Sequence, residues 1–261
     1  MQGFHCLVQT PAGLDDLSLA IAASRADGVG VFNAEAHDST AIGWILERLT
    51  ALTQATPQHA CGVKLAVLDP VIQDWLLSKA NLSLRWLIVD ETAANALATD
   101  WLAAFRRLGG RVLVESVGWC EEYRAEPECD GWIVKGHEAG GAVGEDSAFI
   151  LLQQFLAQQT RPVYVRGSVG RHGAAACHAI GAAGVVIDDQ TLLLRESPVR
   201  ESLAPLLSTL VGNETVALGD PAQGRYFRVL DRPDFSAVKA LRTVVEQGGA
   251  AGRTALATAV A

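Results

Sequence analysis

The stretch Lys135-Gly136-His137-Glu138-Ala139-Gly140-Gly141-Ala142-Val143-Gly144, preceded by the apolar run Gly131 to Val134, is followed after one helical pattern by Pro162-Val163-Tyr164-Val165-Arg166-Gly167-Ser168-Val169-Gly170. Each block is a strand that runs into a glycine-rich loop and then into a helix. Glycine lets backbone N–H groups approach an anion, and the helix that follows presents its positive end to the same place. An open doubly wound sheet normally carries such a fingerprint after its first strand. Here the first turn is Thr10-Pro11-Ala12-Gly13, and the glycine loops follow the sixth and seventh strands. That placement predicts a closed barrel, in which phosphate commonly sits on the loops after the seventh and eighth strands.

Outward from these blocks, short β-branched runs alternate with helical patterns. The expected strands are Cys6 to Gln9, Gly28 to Phe32, Gly62 to Val67, Trp86 to Val89, Arg111 to Val114, Gly131 to Val134, Val163 to Val165 and Gly184 to Ile187. Between them the apolar spacing predicts helices over Leu17 to Arg25, Thr40 to Thr53, Val71 to Lys79, Ala93 to Leu108, Ser147 to Gln158 and Gly173 to Ile180, with a poor helical pattern over Trp119 to Glu128. Runs such as Trp86-Leu87-Ile88-Val89 are continuously apolar, as strands covered on both faces must be. The expected fold is an α/β TIM barrel over residues 1–200. A helical extension packing on it covers 201–247, with a helix from Val199 to Leu210, and a low-complexity linker covers 248–261.

With 261 residues, 49% of them hydrophobic, the chain can bury a large core. A formal net charge of -8 argues against a nucleic-acid or anionic-membrane surface. The five cysteines form no CxxC pair and sit mostly in apolar runs, which predicts reduced core thiols. No basic leader with an apolar segment and no membrane-length apolar run occurs, so a cytoplasmic location is expected.

Gly167 and Ser168 stand where a barrel binds phosphate, and Gly140 and Gly141 supply a second glycine loop on the same rim; tight turns alone would use the same glycines. Lys64 and Lys135 end the third and sixth strands, as neutralising cations or as solvated rim charges. His137 and Glu138 lie at the catalytic face, as proton donor and acceptor or as an ordinary surface pair. Asp188 and Asp189 are unfavourable beside a phosphate, so they point away, pair with Arg166, Arg171 or Arg195, or exclude the anion. No metal-ligand spacing occurs.

Taken together, Lys135 to Gly144, Pro162 to Gly170 and Ala174 to Val186 resemble the nitronate monooxygenase (2-nitropropane dioxygenase-like) family of FMN-dependent TIM barrels, which includes flavin enoyl reductases of fatty-acid synthesis. The Asp188-Asp189-Gln190 ending, Arg195-Glu196-Ser197-Pro198 and Glu214-Thr215 look most like the version at the start of type I polyketide or polyunsaturated-fatty-acid synthases. The resemblance implies FMN over Gln9, Thr10, Pro11 and Lys64, with Lys135 near the ring and the phosphate at Gly140, Gly141, Gly167, Ser168, Asp189 and Gln190. The sequence departs from the family at three places. Ala142 replaces the catalytic histidine of Glu-Ala-Gly-Gly-His, Lys64 replaces the asparagine of Gly-Val-Asn-Leu, and Asp188-Asp189 replaces a Gly-Thr pair.

The expected activity is enoyl reduction of a carrier-bound acyl thioester by NADPH through FMN, with His137 or Glu138 in the proton transfer and an acyl carrier protein and other synthase domains as partners. Nitronate monooxygenation is the alternative within the same class. A flavin-free structural or docking module is the alternative outside it.

Overall fold

The computed structural model describes residues 3–37, 39–78, 83–125, 127–220, 224–231 and 236–246. Strands β1 (His5–Gln9), β2 (Val29–Asn33), β3 (Cys61–Lys64), β4 (Leu84–Asp90), β5 (Arg111–Ser116) and β6 (Gly131–Lys135) pair in parallel in sequence order. A short strand β7 (Gly141–Val143) lies outside the barrel, and β8 (Val163–Arg166) and β9 (Gly184–Ile187) close it, with β9 pairing back onto β1. The fold is the expected eight-stranded parallel barrel. The helices between its strands are α1 (Ser18–Arg25), α2 (Ile42–Ala55), α3 (Pro70–Leu76), α4 (Glu91–Asn95), α5 (Thr99–Arg107), α6 (Ala148–Gln158) and α7 (Arg171–Ala179).

Alternation along the strands divides the core in two. Phe32, Val63, Leu87, Val112, Trp132 and Val165 face the helices and pack with Leu49, Leu102 and Phe155. Leu7, Val31, Ile88, Leu113, Ile133 and Val186 face inward and fill the barrel, with Trp86 and Tyr164 below them at the N-terminal end. Both strand faces are dry, which is why the runs are apolar without alternation. The third inward layer, at the C-terminal end, breaks that rule and is polar throughout.

Helix α1 rests directly on β2. A Cβ built at Gly30 would lie 1.8 Å from the carbonyl oxygen of Ala20, so only glycine allows this helix to reach its strand.

Several boundaries differ from the expected ones. The third strand ends at Lys64 rather than Val67, because Asp69 caps α3 by accepting from Val71 N at 2.8 Å and the chain must turn before it. The helix expected over Ala93 to Leu108 is two helices: Asp90 caps α4 through Ala93 N, and extended backbone at Ala98 interrupts the run before α5. The poor pattern at Trp119 to Glu128 contains one 3-10 turn, Glu121–Arg124. The extension is not wholly helical. After α8 (Arg200–Leu207) come strands β10 (Thr215–Asp220) and β11 (Arg225–Leu230), then α9 (Ser236–Glu246); β11 pairs antiparallel with both β10 and β7. The second partner of this hairpin lies inside the first glycine loop, a pairing that local pattern does not reveal. The linker expected at 248–261 lies outside the described residues. Among the described residues no helix is long and apolar enough to cross a membrane.

Gly30→Ala should cost about 3 kcal/mol, the upper range of overpacking. Urea denaturation checks it; an unchanged midpoint would mean that α1 is free to move off β2.

Candidate active site

The last inward residue of each barrel strand, or the residue just beyond it, is polar: Gln9, Asn33, Lys64, Asp90, Glu115, Lys135, Arg166 and Asp188. Most of these residues form one connected layer. Glu115, 9% exposed, is its centre. Its Oε1 accepts from Lys64 Nζ at 2.7 Å and from Arg166 Nη1 at 3.1 Å, and its Oε2 accepts from the same Nη1 at 2.8 Å. Arg166 Nε donates to Asp188 Oδ2 at 2.7 Å. On the other side Lys64 meets Glu35 Oε2 at 2.5 Å, Asn33 Nδ2 donates to Glu35 Oε1 at 3.1 Å, and Thr10 Oγ1 accepts from Asn33 N at 3.0 Å. The contacts run from β1 round to β9. Lys64, Lys135 and Arg166 balance Glu35, Glu115 and Asp188, so the layer is neutral when all six are ionised.

Burial disfavours every charge here, and the charges of opposite sign restore them unequally. For Glu115, desolvation is outweighed by Arg166, Lys64 and Lys135, which hold the carboxyl far below its usual range. Glu35 is likewise brought down to about 2, with Lys64 overcoming its desolvation. Lys135 goes the other way. Desolvation and the Arg166 cation lower its ammonium to about 7, with Glu115 in partial opposition. Its Nζ is 4.0 Å from Glu115 Oε1, too far for a hydrogen bond, and it is 3% exposed.

The loop after β6 is held by its own side chains. His137 Nδ1 donates to Gly144 O at 2.7 Å, and Arg228 Nε from β11 donates to His137 O at 2.6 Å. Both Glu138 oxygens accept from Ala148 N, at 3.1 and 3.2 Å, so this carboxylate caps α6. A Cβ at Gly167 would lie 3.0 Å from Glu138 Oε1, and φ there is +147°, so glycine is required on both counts. The two residues expected to carry catalysis are thus occupied in shaping the loop.

Beyond β8 the backbone turns through positive φ. Gly167 and Ser168 both have positive φ, +147° and +46°, and Gly170 precedes α7. Among the described residues, the N–H groups of Gly167, Ser168, Val169 and Gly170 donate no hydrogen bond within the chain. Successive unpaired N–H groups at a helix start make an anion-binding nest. Of the pairings open to Asp188, the structure shows the one with Arg166. Asp189 remains near the nest: a Cβ at Gly140 would lie 2.9 Å from its Oδ2. Desolvation, with Asp188 adding to it, raises the Asp189 carboxyl. Gln190 Oε1 accepts from Asp188 N at 2.9 Å and so fixes the turn at the end of β9.

Gln9 is fully buried at the mouth, and neither Oε1 nor Nε2 has a hydrogen-bond partner. Thr10 is buried beside it and Pro11 is half-buried. On the same face, between the segments after β3 and β4, an apolar groove of about 240 Å³ is lined by Ala66, Val67, Leu68, Ala93 and Leu97. No group of metal-ligating side chains occurs among the described residues.

Glu115, Glu35 and Asn33 were not among the sequence-derived site residues. The fifth strand was expected to end at Val114, one residue short of Glu115. The signal available was a polar residue in the inward phase at the end of nearly every strand.

No protein-family model matches the chain. It is similar to FabK from Thermotoga maritima, with a TM-score of 0.70 at 21% identity over 92% of this chain and 77% of that one. It is also similar to the enoyl reductase domain of MlnA from the macrolactin cluster of Bacillus amyloliquefaciens, with a TM-score of 0.63 at 14% identity over 93% of this chain and 67% of that one. At these identities the likeness establishes the fold. In sequence, 106 residues are 36% identical to (3aS,4S,5R,7aS)-5-hydroxy-7a-methyl-1-oxo-octahydro-1H-indene-4-carboxyl-CoA dehydrogenase of Rhodococcus jostii (strain RHA1). That match spans 39% of this chain and 30% of the relative.

Glu115→Gln should lower stability by about 3–5 kcal/mol, because it leaves buried cations without their counter-charge. Removing the exposed Arg48 to Asp15 pair should cost no more than about 1 kcal/mol. Urea midpoints of the two variants compare them directly. The lowered carboxyls of Glu35 and Glu115 also set a pH window. Their stabilising contribution is complete above the ordinary value of 4.5 and is lost as pH falls from there towards about 2, which thermal melts across that range should register.

Proposed function

We propose that the chain is a flavin-dependent oxidoreductase domain of the enoyl-reductase type that acts on an acyl thioester. The observation that carries this reading is the nest of unpaired N–H groups from Gly167 to Gly170, which faces the same mouth as the orphaned amide of Gln9. A phosphate and a planar polar ring are the two ends of FMN, and the residues fit both. The nest and the start of α7 would hold the phosphate. Gln9 would hold the ring edge, with Lys64 and Lys135 beneath as cations. Asp188 is neutralised by Arg166, and burial together with Asp188 raises the Asp189 carboxyl, which lessens its repulsion of a phosphate.

The flavin, when bound, supplies the two-electron chemistry, with NADPH as reductant. This chain's residues orient it and keep the mouth dry. The thioester class is supported by the names of two similar proteins, an enoyl reductase domain and a dehydrogenase of a carboxyl-CoA. The apolar groove beside β3 and β4 suits an acyl chain. In this reading the domain works in the cytoplasm, on chains delivered by an acyl carrier protein within a polyketide or fatty-acid synthase. Nitronate oxidation is disfavoured, because Ala142 carries no base to take the substrate proton.

One observation favours a flavin-free docking module instead. The Asp189 carboxylate lies against Gly140 on the rim of the nest. Colour separates the two readings. The purified protein, or protein mixed with excess FMN, should show flavin absorbance and release FMN on denaturation, and Ser168→Asp should abolish retention by charge repulsion. Colourless protein at high FMN would establish the module reading, and unchanged retention in Ser168→Asp would displace the phosphate from the nest.

A further inference from the structure

We infer that Lys135 is the proton donor of this site, delivering a proton to the α-carbon of the acyl thioester from beneath the glycine loop. The inference rests on the flavin reading above and goes beyond it, because it assigns the proton transfer to a residue of this chain.

The geometry singles Lys135 out among the buried cations. Lys64 and Arg166 are each held by short contacts to carboxylates, Lys64 to Glu35 and Glu115 and Arg166 to Glu115 and Asp188. Lys135 has no hydrogen bond of its own among the described residues, and its nearest carboxylate oxygen is 4.0 Å away. An ammonium left in a dry layer without a hydrogen bond is costly, and such a cost persists at sites that use the group. Its surroundings are also built of small residues. A Cβ placed on Gly141 would come within 3.6 Å of Nζ, so the glycine brings only backbone to the amine. Of the other proton carriers of the loop, Glu138 caps α6 and His137 has its Nδ1 tied to Gly144 O.

The charged groups facing the amine come from every neighbouring strand. They are Glu35 after β2, Lys64 on β3, Glu115 on β5, Arg166 on β8, and Asp188 with Asp189 after β9. Burial, with the Arg166 and Lys64 cations adding to it, outweighs Glu115 and Glu35 and lowers the ammonium to about 7. A donor poised there is matched to its task at physiological pH. A bound flavin, reduced by the nicotinamide, would supply the hydride for the new C–H bond at the β-carbon, which would leave an electron pair at the α-carbon. The Lys135 N–H bond breaks, the α C–H bond forms, and the neutral amine regains a proton from water.

Two measurements test this. The first is NMR of protein carrying [13Cε]-lysine. The chain has four lysines, Lys64, Lys79, Lys135 and Lys239, and Lys135→Arg assigns the signal by its loss. The Lys135 midpoint should lie near pH 7, well below the ordinary lysine value of about 10. The second is stopped flow on flavin-loaded protein. In Lys135→Met, reoxidation by crotonyl-CoA should slow by about 100-fold or more, well beyond any change in reduction by NADPH. In the parent, reoxidation should fall as pH rises through the NMR midpoint. Lys135→Arg keeps the cation and cannot give up its proton near neutrality, so it should behave like Lys135→Met where the latter folds poorly or sheds flavin. Retained reoxidation in either variant, or a Lys135 midpoint above about 9, overturns the assignment while leaving the flavin reading in place. Protein that takes up no flavin overturns both.

Discussion

A single carboxylate carries the end of this barrel. Glu115 sits where the interior changes from hydrocarbon to charge, and two close cations and one more distant one draw on it. Without it, β3, β6 and β8 would each bring a positive group into the same dry volume, and the strands could not close at their present spacing without expelling one of them. With it, repulsion becomes a set of directed contacts that fix the side-chain positions of four strands at once. The desolvation of these ions is a cost that apolar packing would avoid. The apolar layers beneath offset it with buried side chains such as Leu7, Ile88, Leu113 and Ile133.

The charged layer and the anion nest divide the mouth between them. Arg166 is the hinge of that division. Its guanidinium faces inward to Glu115 and sideways to Asp188, and the next residues present unpaired backbone N–H groups beside it. A side-chain cation in the nest would bind any anion by charge. A backbone nest selects by shape, because its donors point to one locus.

Much of the architecture was legible from sequence because the strands obey a simple rule. Dry on both faces, they are apolar without alternation, and eight such runs with helices between them have few other ways to close. The pairing of Arg166 with Asp188 was legible as an option, since two adjacent carboxylates need a partner. The centre of the site was not. Glu115 follows a run, Arg111 to Val114, that already reads as a complete strand, and its partners Lys64 and Arg166 lie 51 residues away in either direction. The strand β7 was hidden for a similar reason. Gly141 to Val143 has no strand character of its own and becomes one only because Arg228, Phe227 and Tyr226 lie alongside it.

That last pairing has a consequence for the order in which the molecule is completed. All eight barrel strands have left the ribosome once Ile187 has, whereas the hairpin that clamps the first glycine loop ends at Leu230. Domains fold as their chain emerges, N-terminal parts first. The barrel therefore closes with its mouth still unframed, and the loop gains its fixed edge only when β11 arrives. The first glycine loop thus depends on the extension as well as on the barrel, and loss of β11 would leave β7 without the strand it pairs with.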